Sequence, residues 1–203
     1  SSNSNTKNTS MKKGIFGFDV RDITEIAMLC AMAILLDRFI RIGVGATGGS
    51  INICMVPLYV IALRHGWFKG LISGGIVFGL SSCLLDEYGI QTYPLEYFIA
   101  FGCIAILGIF GRLINKLFQK DNPKGVAISY GILIACIGVC AVIRWFMASI
   151  DSVIFYDYAF GPALVYNAPY VFFSALGVGV IVSLLLPTIK MVNNLYPTKY
   201  LSY

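Results

Sequence analysis

Apolar runs separated by short corners dominate this sequence, and each run is too long and too continuous to be one face of a water-soluble helix. About 20 apolar residues carry a helix across the hydrocarbon core of a bilayer. The stretches Asp22–Ile42, Ser50–Leu63, Trp67–Leu85, Pro94–Phe118, Gly125–Ser149 and Ala163–Lys190 therefore predict membrane-spanning helices. The expected fold class is an all-α integral membrane protein of six transmembrane helices. Residues 21–203 form its single domain, and residues 1–20, opening "SSNSNTKNTS", form a polar and disordered segment with no cleavable signal peptide. The second run is short, and the Gly-rich "GVGATGGSIN" before it predicts a loop-like or re-entrant entry. Such backbone is tolerated at membrane depth only where protein or a water-filled cavity covers it.

Composition supports this reading. The chain of 203 residues is 58% apolar and only 12% charged, against about 25% charged residues in soluble domains, and one aqueous core of this size cannot hide so much apolar surface. The formal net charge of +5 is spread between apolar runs, which points to topology rather than to nucleic acid. Lys and Arg gather at Lys12 and Lys13 and in the corners "RHGWFKG", "GRLINKLFQKDNPKG" and "KMVNNLYPTKYLSY". The opposite loops, Gly43–Gly49, Asp86–Tyr93 and Ile150–Pro162, have no Lys or Arg and hold Asp86, Glu87, Asp151 and Asp157. Positive corners stay on the inner side of a membrane, so both termini are expected in the cytoplasm.

Chemistry of the catalytic kind finds no footing. The single histidine, His65, falls in a basic corner and reads as a loop residue. HExxH, GxSxG and P-loop motifs are absent, and no catalytic residue or cofactor is expected. The six cysteines lie inside apolar runs without a CxxC pair, so they read as packing residues rather than metal ligands. Energy for uphill transport would have to come from a partner or an ion gradient.

Polar residues near the acidic loops need a reason. Glu96 opens the fourth run in "YPLEYFIAFG", close to Asp37, Arg38, Arg41, Asn52, Arg144 and Asn167 in expected depth. Two readings stay open: Glu96 decorates a helix start at the interface, where the helix dipole favours a carboxylate, or it lines a binding site. Arg38 and Arg41 read as snorkelling to lipid phosphate, and Arg144 as a partner for Glu96 or Asp151. Aromatics crowd the same level, among them Trp145, Phe155, Tyr156, Tyr166 and Tyr170. Aromatic walls with a few fixed hydrogen-bonding groups suit a flat, heteroaromatic, cationic ligand. Small residues at Ala27 and Ala31 on the first run, and at Gly70, Gly74, Gly75 and Gly79 on the third, permit close helix approach in lipid.

The stretches "DITEIAMLCAMAIL", "MVPLYVIALRHGWFKGLISGGIVFGLSS" and "LEYFIAFGCIAILGIFGRL" resemble the substrate-binding (S) subunits of energy-coupling factor vitamin transporters, nearest the thiamine-specific branch. The resemblance runs from about Asp22 to the last span. It implies a six-helix protein of the bacterial plasma membrane that captures a vitamin from outside. It also implies association with a transmembrane coupling subunit and two cytoplasmic ATPases, docked through the alanine motif at Ala27 and Ala31. Glu96 and Tyr97 match the pocket residues of "LEY", with the Glu contacting the aminopyrimidine, and Asn167 matches a pocket asparagine. A pocket histidine of the branch falls on Met147, a stacking tryptophan on Phe155 beside Tyr156, and an acidic position on Asn52. Trp145, Phe155, Tyr156 and Tyr97 are expected to supply stacking faces. The ligand expected is thiamine or a related pyrimidine. Alternatives are an S subunit for another flat vitamin such as riboflavin, a stand-alone secondary transporter, and a membrane scaffold.

Overall fold

The computed structural model describes residues 16–43 and 49–201, so most of the polar N-terminal segment and residues 44–48 of the Gly-rich stretch lie outside the described residues. Helix α1 (Val20–Phe39) is capped by Asp19, whose carboxylate accepts the Val20 N–H, and buries Asp22, Ile26, Cys30, Ala33 and Asp37 along one stripe. Three- and four-residue steps of this kind keep one helix face inward. An antiparallel ribbon follows, β1 (Arg41–Gly43) paired with β2 (Ser50–Asn52) in the register Arg41 to Asn52. The expected loop-like entry is thus partly strand.

Helix α2 (Met55–Leu71) is interrupted at Gly66, whose φ of 87° is open to glycine and strained for other residues. A Cβ placed on Gly70 would lie 3.4 Å from the Cβ of Ala62. Residues eight apart on a straight helix are about 12 Å apart, so the chain doubles back at Gly66, inside the corner "RHGWFKG". Wide π-helical turns, Ile72–Phe78, continue into α3 (Gly79–Asp86). A 3₁₀ turn at Ile90–Thr92 and further π-helical turns, Tyr93–Ile99, lead into α4 (Ala100–Gly102) and α5 (Ala105–Gln119). The chain ends in two long helices, α6 (Pro123–Tyr156) and α7 (Phe160–Leu195). Among the described residues, four helical stretches are long and apolar enough to cross a membrane: Met55–Asp86, Ile90–Gln119, Pro123–Tyr156 and Phe160–Leu195.

The wide turns Ile72–Phe78 and the residues after them pack closely on the segment from Tyr93 to Phe101, with Phe98 seated against Gly75. A Cβ on Gly74 would come within 2.6 Å of the Phe101 carbonyl oxygen, and one on Gly79 within 3.2 Å of that of Tyr97. The Tyr93 hydroxyl donates to the Gly75 carbonyl at 2.7 Å. Glycine here sets the helix spacing, as expected for internal packing, and fixes the backbone that carries Glu96 and Tyr97.

The end of the bundle bearing the basic corners holds a buried polar network. Lys69 Nζ donates to Asp22 at 2.7 Å, and Arg64 is bonded to Glu25 and to Asn193. Asn193 donates to Asn115 at 2.8 Å, and Asn115 donates to the Leu63 carbonyl at 3.0 Å. His65 is fully buried between Asp22 (3.6 Å) and Glu25 (3.3 Å), which corrects its reading as a loop residue. Tyr200 returns from the C-terminal tail into this corner, its hydroxyl donating to the Gly108 carbonyl at 2.6 Å and its ring covering Gly66.

Candidate ligand site

At the other end of the bundle, two adjoining cavities open among the acidic loops. The larger, about 290 Å³, is walled by Asp37, Arg41 and Asn52 on the ribbon side, by Glu96, Tyr97 and Phe101 opposite, and by Arg144, Ala148 and Tyr170 from α6 and α7. The smaller, about 210 Å³, is lined by Tyr88, Tyr156, Tyr158, Tyr166, Asn167 and Ser152. Glu96, Tyr88, Gly49 and Tyr170 belong to both. Pro94 lies at the start of the wide turns Tyr93–Ile99, where a missing N–H costs little, and those turns place Glu96 at the junction of the two chambers.

Ion pairs and hydrogen bonds stiffen the larger chamber. Asp37 accepts from Asn52 Nδ2 at 3.2 Å, Ser82 Oγ at 3.0 Å and Arg38 at 2.8 Å. Asp86 accepts from Arg38 at 2.7 Å and from the Tyr97 hydroxyl at 2.9 Å, with Arg41 at 3.6 Å. Arg41 therefore lines the chamber and Arg38 braces it through Asp37 and Asp86, and the expectation that they reach lipid phosphate is corrected. The Asn52 N–H donates to Ser174 Oγ at 3.1 Å, tying β2 to α7. Arg144 was expected to pair with Glu96 or Asp151. It instead donates to the Met55 sulfur at 3.0 Å and lies 4.9 Å from the centre of the Phe101 ring.

In the smaller chamber the Asn167 amide nitrogen donates to Ser152 Oγ at 3.1 Å and to the Ala163 carbonyl at 2.9 Å, while its oxygen accepts the Tyr170 hydroxyl. The Tyr158 and Tyr166 rings lie nearly parallel, 6.0 Å apart. The chamber thus offers aromatic faces around an amide and a carboxylate.

The structure therefore brings Glu96, Tyr97, Asn52, Asn167 and Tyr156 together around connected space. Trp145, Met147 and Phe155 line neither chamber. Trp145 donates to the Leu164 carbonyl at 2.8 Å and packs on Phe172, and Phe155 is exposed. Asp86, Arg144, Tyr170 and Tyr88 are wall residues that the sequence reading left off its site. For Tyr170 the signal was present, since it follows Asn167 by three residues and so shares its helix face. Ala27 and Ala31 are exposed on α1, away from both chambers.

Comparison with known proteins bears on the family of the chain. Residues 23–194 match the family model described as "Thiamine transporter protein". The chain is 26% identical over 178 residues to the thiamine transporter ThiT of Bacillus subtilis (strain 168), covering 82% of this chain and 90% of that protein. It also superposes on a solved structure of ThiT from Listeria monocytogenes with a TM-score of 0.65 and 28% identity, covering 83% of this chain and 94% of that one. The extent of the family match, across nearly every helix described above, settles the assignment: the chain belongs to the thiamine transporter protein family.

Proposed function

We propose that this protein is the thiamine-capturing membrane subunit of an energy-coupling factor importer, binding its ligand in the two chambers that meet at Glu96. The observation that carries the reading is Glu96 itself, a carboxylate in the wall of both chambers, within a chain of this family. The aminopyrimidine donates its exocyclic N–H to Glu96, and the cationic thiazolium stacks among the tyrosines of the smaller chamber, where ring faces attract positive charge. Six membrane crossings with both termini in the cytoplasm of a bacterial cell are the matching topology. The reversal at Gly66 and the segregation of Lys and Arg to one set of corners support it. A coupling subunit and two ATPases supply the energy, docking on the exposed Ala27 and Ala31 of α1.

Calorimetric titration of the purified protein with thiamine, its pyrimidine precursor and riboflavin tests the ligand. Tight thiamine binding is expected, weakened at least tenfold in Glu96→Gln by loss of a charge-assisted hydrogen bond worth about 1.5–3 kcal/mol. Tight binding of riboflavin alone would move the ligand off thiamine. No binding of any, with the variant unchanged, would leave Glu96 a helix-end decoration.

A further inference from the structure

Away from the two chambers, α1 and α7 part over α2 and leave a groove of about 440 Å³. Its sides are apolar: Met28, Leu29 and Met32 of α1 face Leu185 and Ile189 of α7, with Val60 of α2 beneath. The charged residues that line it, Arg21, Glu25 and Arg64, all belong to the basic-corner end. Arg64 donates to Glu25 at 3.0 Å, so those two charges cancel. Arg21 forms no ion pair among the described residues, and its guanidinium lies 5.0 Å from the centre of the Tyr196 ring. One uncompensated cation therefore stands at the mouth of an apolar trough.

We propose that this groove seats one anionic phospholipid of the cytoplasmic leaflet, with its phosphate on Arg21 and an acyl chain laid along Met28 and Met32. Depth argues for a lipid. From Arg21 to Met32 α1 rises eleven residues, about 16 Å at 1.5 Å per residue. One leaflet supplies about 15 Å of hydrocarbon, half of the core, whereas the helix of a membrane partner needs the whole thickness. Charge argues for the headgroup. A guanidinium laid over a ring keeps its N–H edge free, and that edge matches two phosphate oxygens. The ammonium of a zwitterionic headgroup finds no open acceptor, because Glu25, the carboxylate among the described lining residues, is taken by Arg64. Ala27 and Ala31 line no part of the groove, so a lipid here leaves the alanine face of α1 uncovered. The choice of leaflet rests on the orientation proposed above, and the reading of Glu96 plays no part in it.

Native mass spectrometry of the purified protein tests the groove, with phosphatidylglycerol and phosphatidylcholine of identical chains offered in equal amounts. One phosphatidylglycerol is expected to be retained in preference to phosphatidylcholine. Arg21→Gln should reduce that preference about fivefold, as for one cation lost at an anionic surface. Thr188→Trp, a substitution at an exposed position on the rim, should fill the groove and release both lipids. Circular dichroism of both variants should match the wild type, and thiamine titration of them is read separately, so that a failed ligand reading leaves this result standing. Equal retention of the two lipids, a preference that survives Arg21→Gln, or adducts that survive Thr188→Trp would overturn the proposal. Loss of vitamin uptake by cells carrying Thr188→Trp, with its lipid adducts intact, would assign the groove to the coupling subunit and overturn it as well.

Discussion

Every polar atom of the Asn167 side chain is engaged before a ligand arrives, its nitrogen with Ser152 and Ala163 and its oxygen with Tyr170. An amide saturated in this way recognises a ring nitrogen only by exchanging one bond for another, so its net contribution is small, and its larger effect is to orient Tyr170 between the chambers. Tyr170→Phe removes the hydroxyl alone. We expect a folded protein with thiamine affinity reduced about 3- to 10-fold, read by titration, as for one lost neutral hydrogen bond. Part of the candidate site was legible in the sequence: Glu96, Tyr97, Asn52, Asn167 and Tyr156 were singled out there and line the two chambers. Met147 and Phe155 were placed by resemblance and Trp145 by its level among the outer aromatics, and helix phase separates Trp145 and Met147 from the site. The inward face of α6 carries Arg144, Ala148 and Ser152 at four-residue steps, and Trp145 and Met147 lie to either side of it. Asp151 was placed in a loop because the fifth span was ended at Ser149, whereas α6 continues through it to Tyr156.

At the scale of elements, glycines and alanines do opposite work on different helices. Gly74 brings the Ile72–Phe78 turns onto the backbone of Phe101, 2.6 Å from where a Cβ would stand, so Gly74→Val must push the Glu96-bearing segment away. A loss of about 1–3 kcal/mol of stability is expected from such overpacking, seen as a lower thermal midpoint, together with weaker thiamine binding. Ala27 and Ala31 face outward, flanked by the exposed Met28 and Met32. Ala27→Trp and Ala31→Trp should leave thiamine binding by the purified protein unchanged and abolish uptake in cells that supply the coupling module. Loss of binding as well would show that this face belongs to the fold rather than to a partner. The small-residue spacing was visible in the sequence, with internal packing expected for the glycines and a docking face for the alanines; the backbone that each glycine would meet was not, because it depends on the wide turns of the fold.

Across the whole molecule, polar chemistry is divided between the two ends, and the basic-corner end holds the bundle shut. Tyr200 fills the space over Gly66 and bonds to Gly108, while Arg112 Nε donates to the Tyr200 carbonyl at 2.6 Å and its guanidinium lies 4.6 Å from the ring centre. Burial pushes the Tyr200 phenol above its ordinary value. A raised acid of this kind stabilises the folded state fully below about pH 10, the unfolded phenol's range, and less as pH climbs beyond it. Tyr200→Phe should therefore lower the thermal midpoint at pH 8 through the lost hydrogen bond, and should blunt the fall in midpoint above pH 10. The sequence showed that the corners were basic, but the burial of His65, Arg64 and Lys69 within one of them depends on carboxylates from α1 that only the fold brings near.

Gly49 rests on the ring of Tyr170, where an added Cβ would stand 2.8 Å from the ring edge, and both residues border the two chambers. On the function proposed, cargo that occupies both rooms is expected to part this contact when it leaves. Its residence time would then follow how often a glycine and a phenol separate, and not the strength of the bonds at Glu96 alone. Two ligands of equal affinity, one filling a single chamber and one filling both, would depart on different clocks.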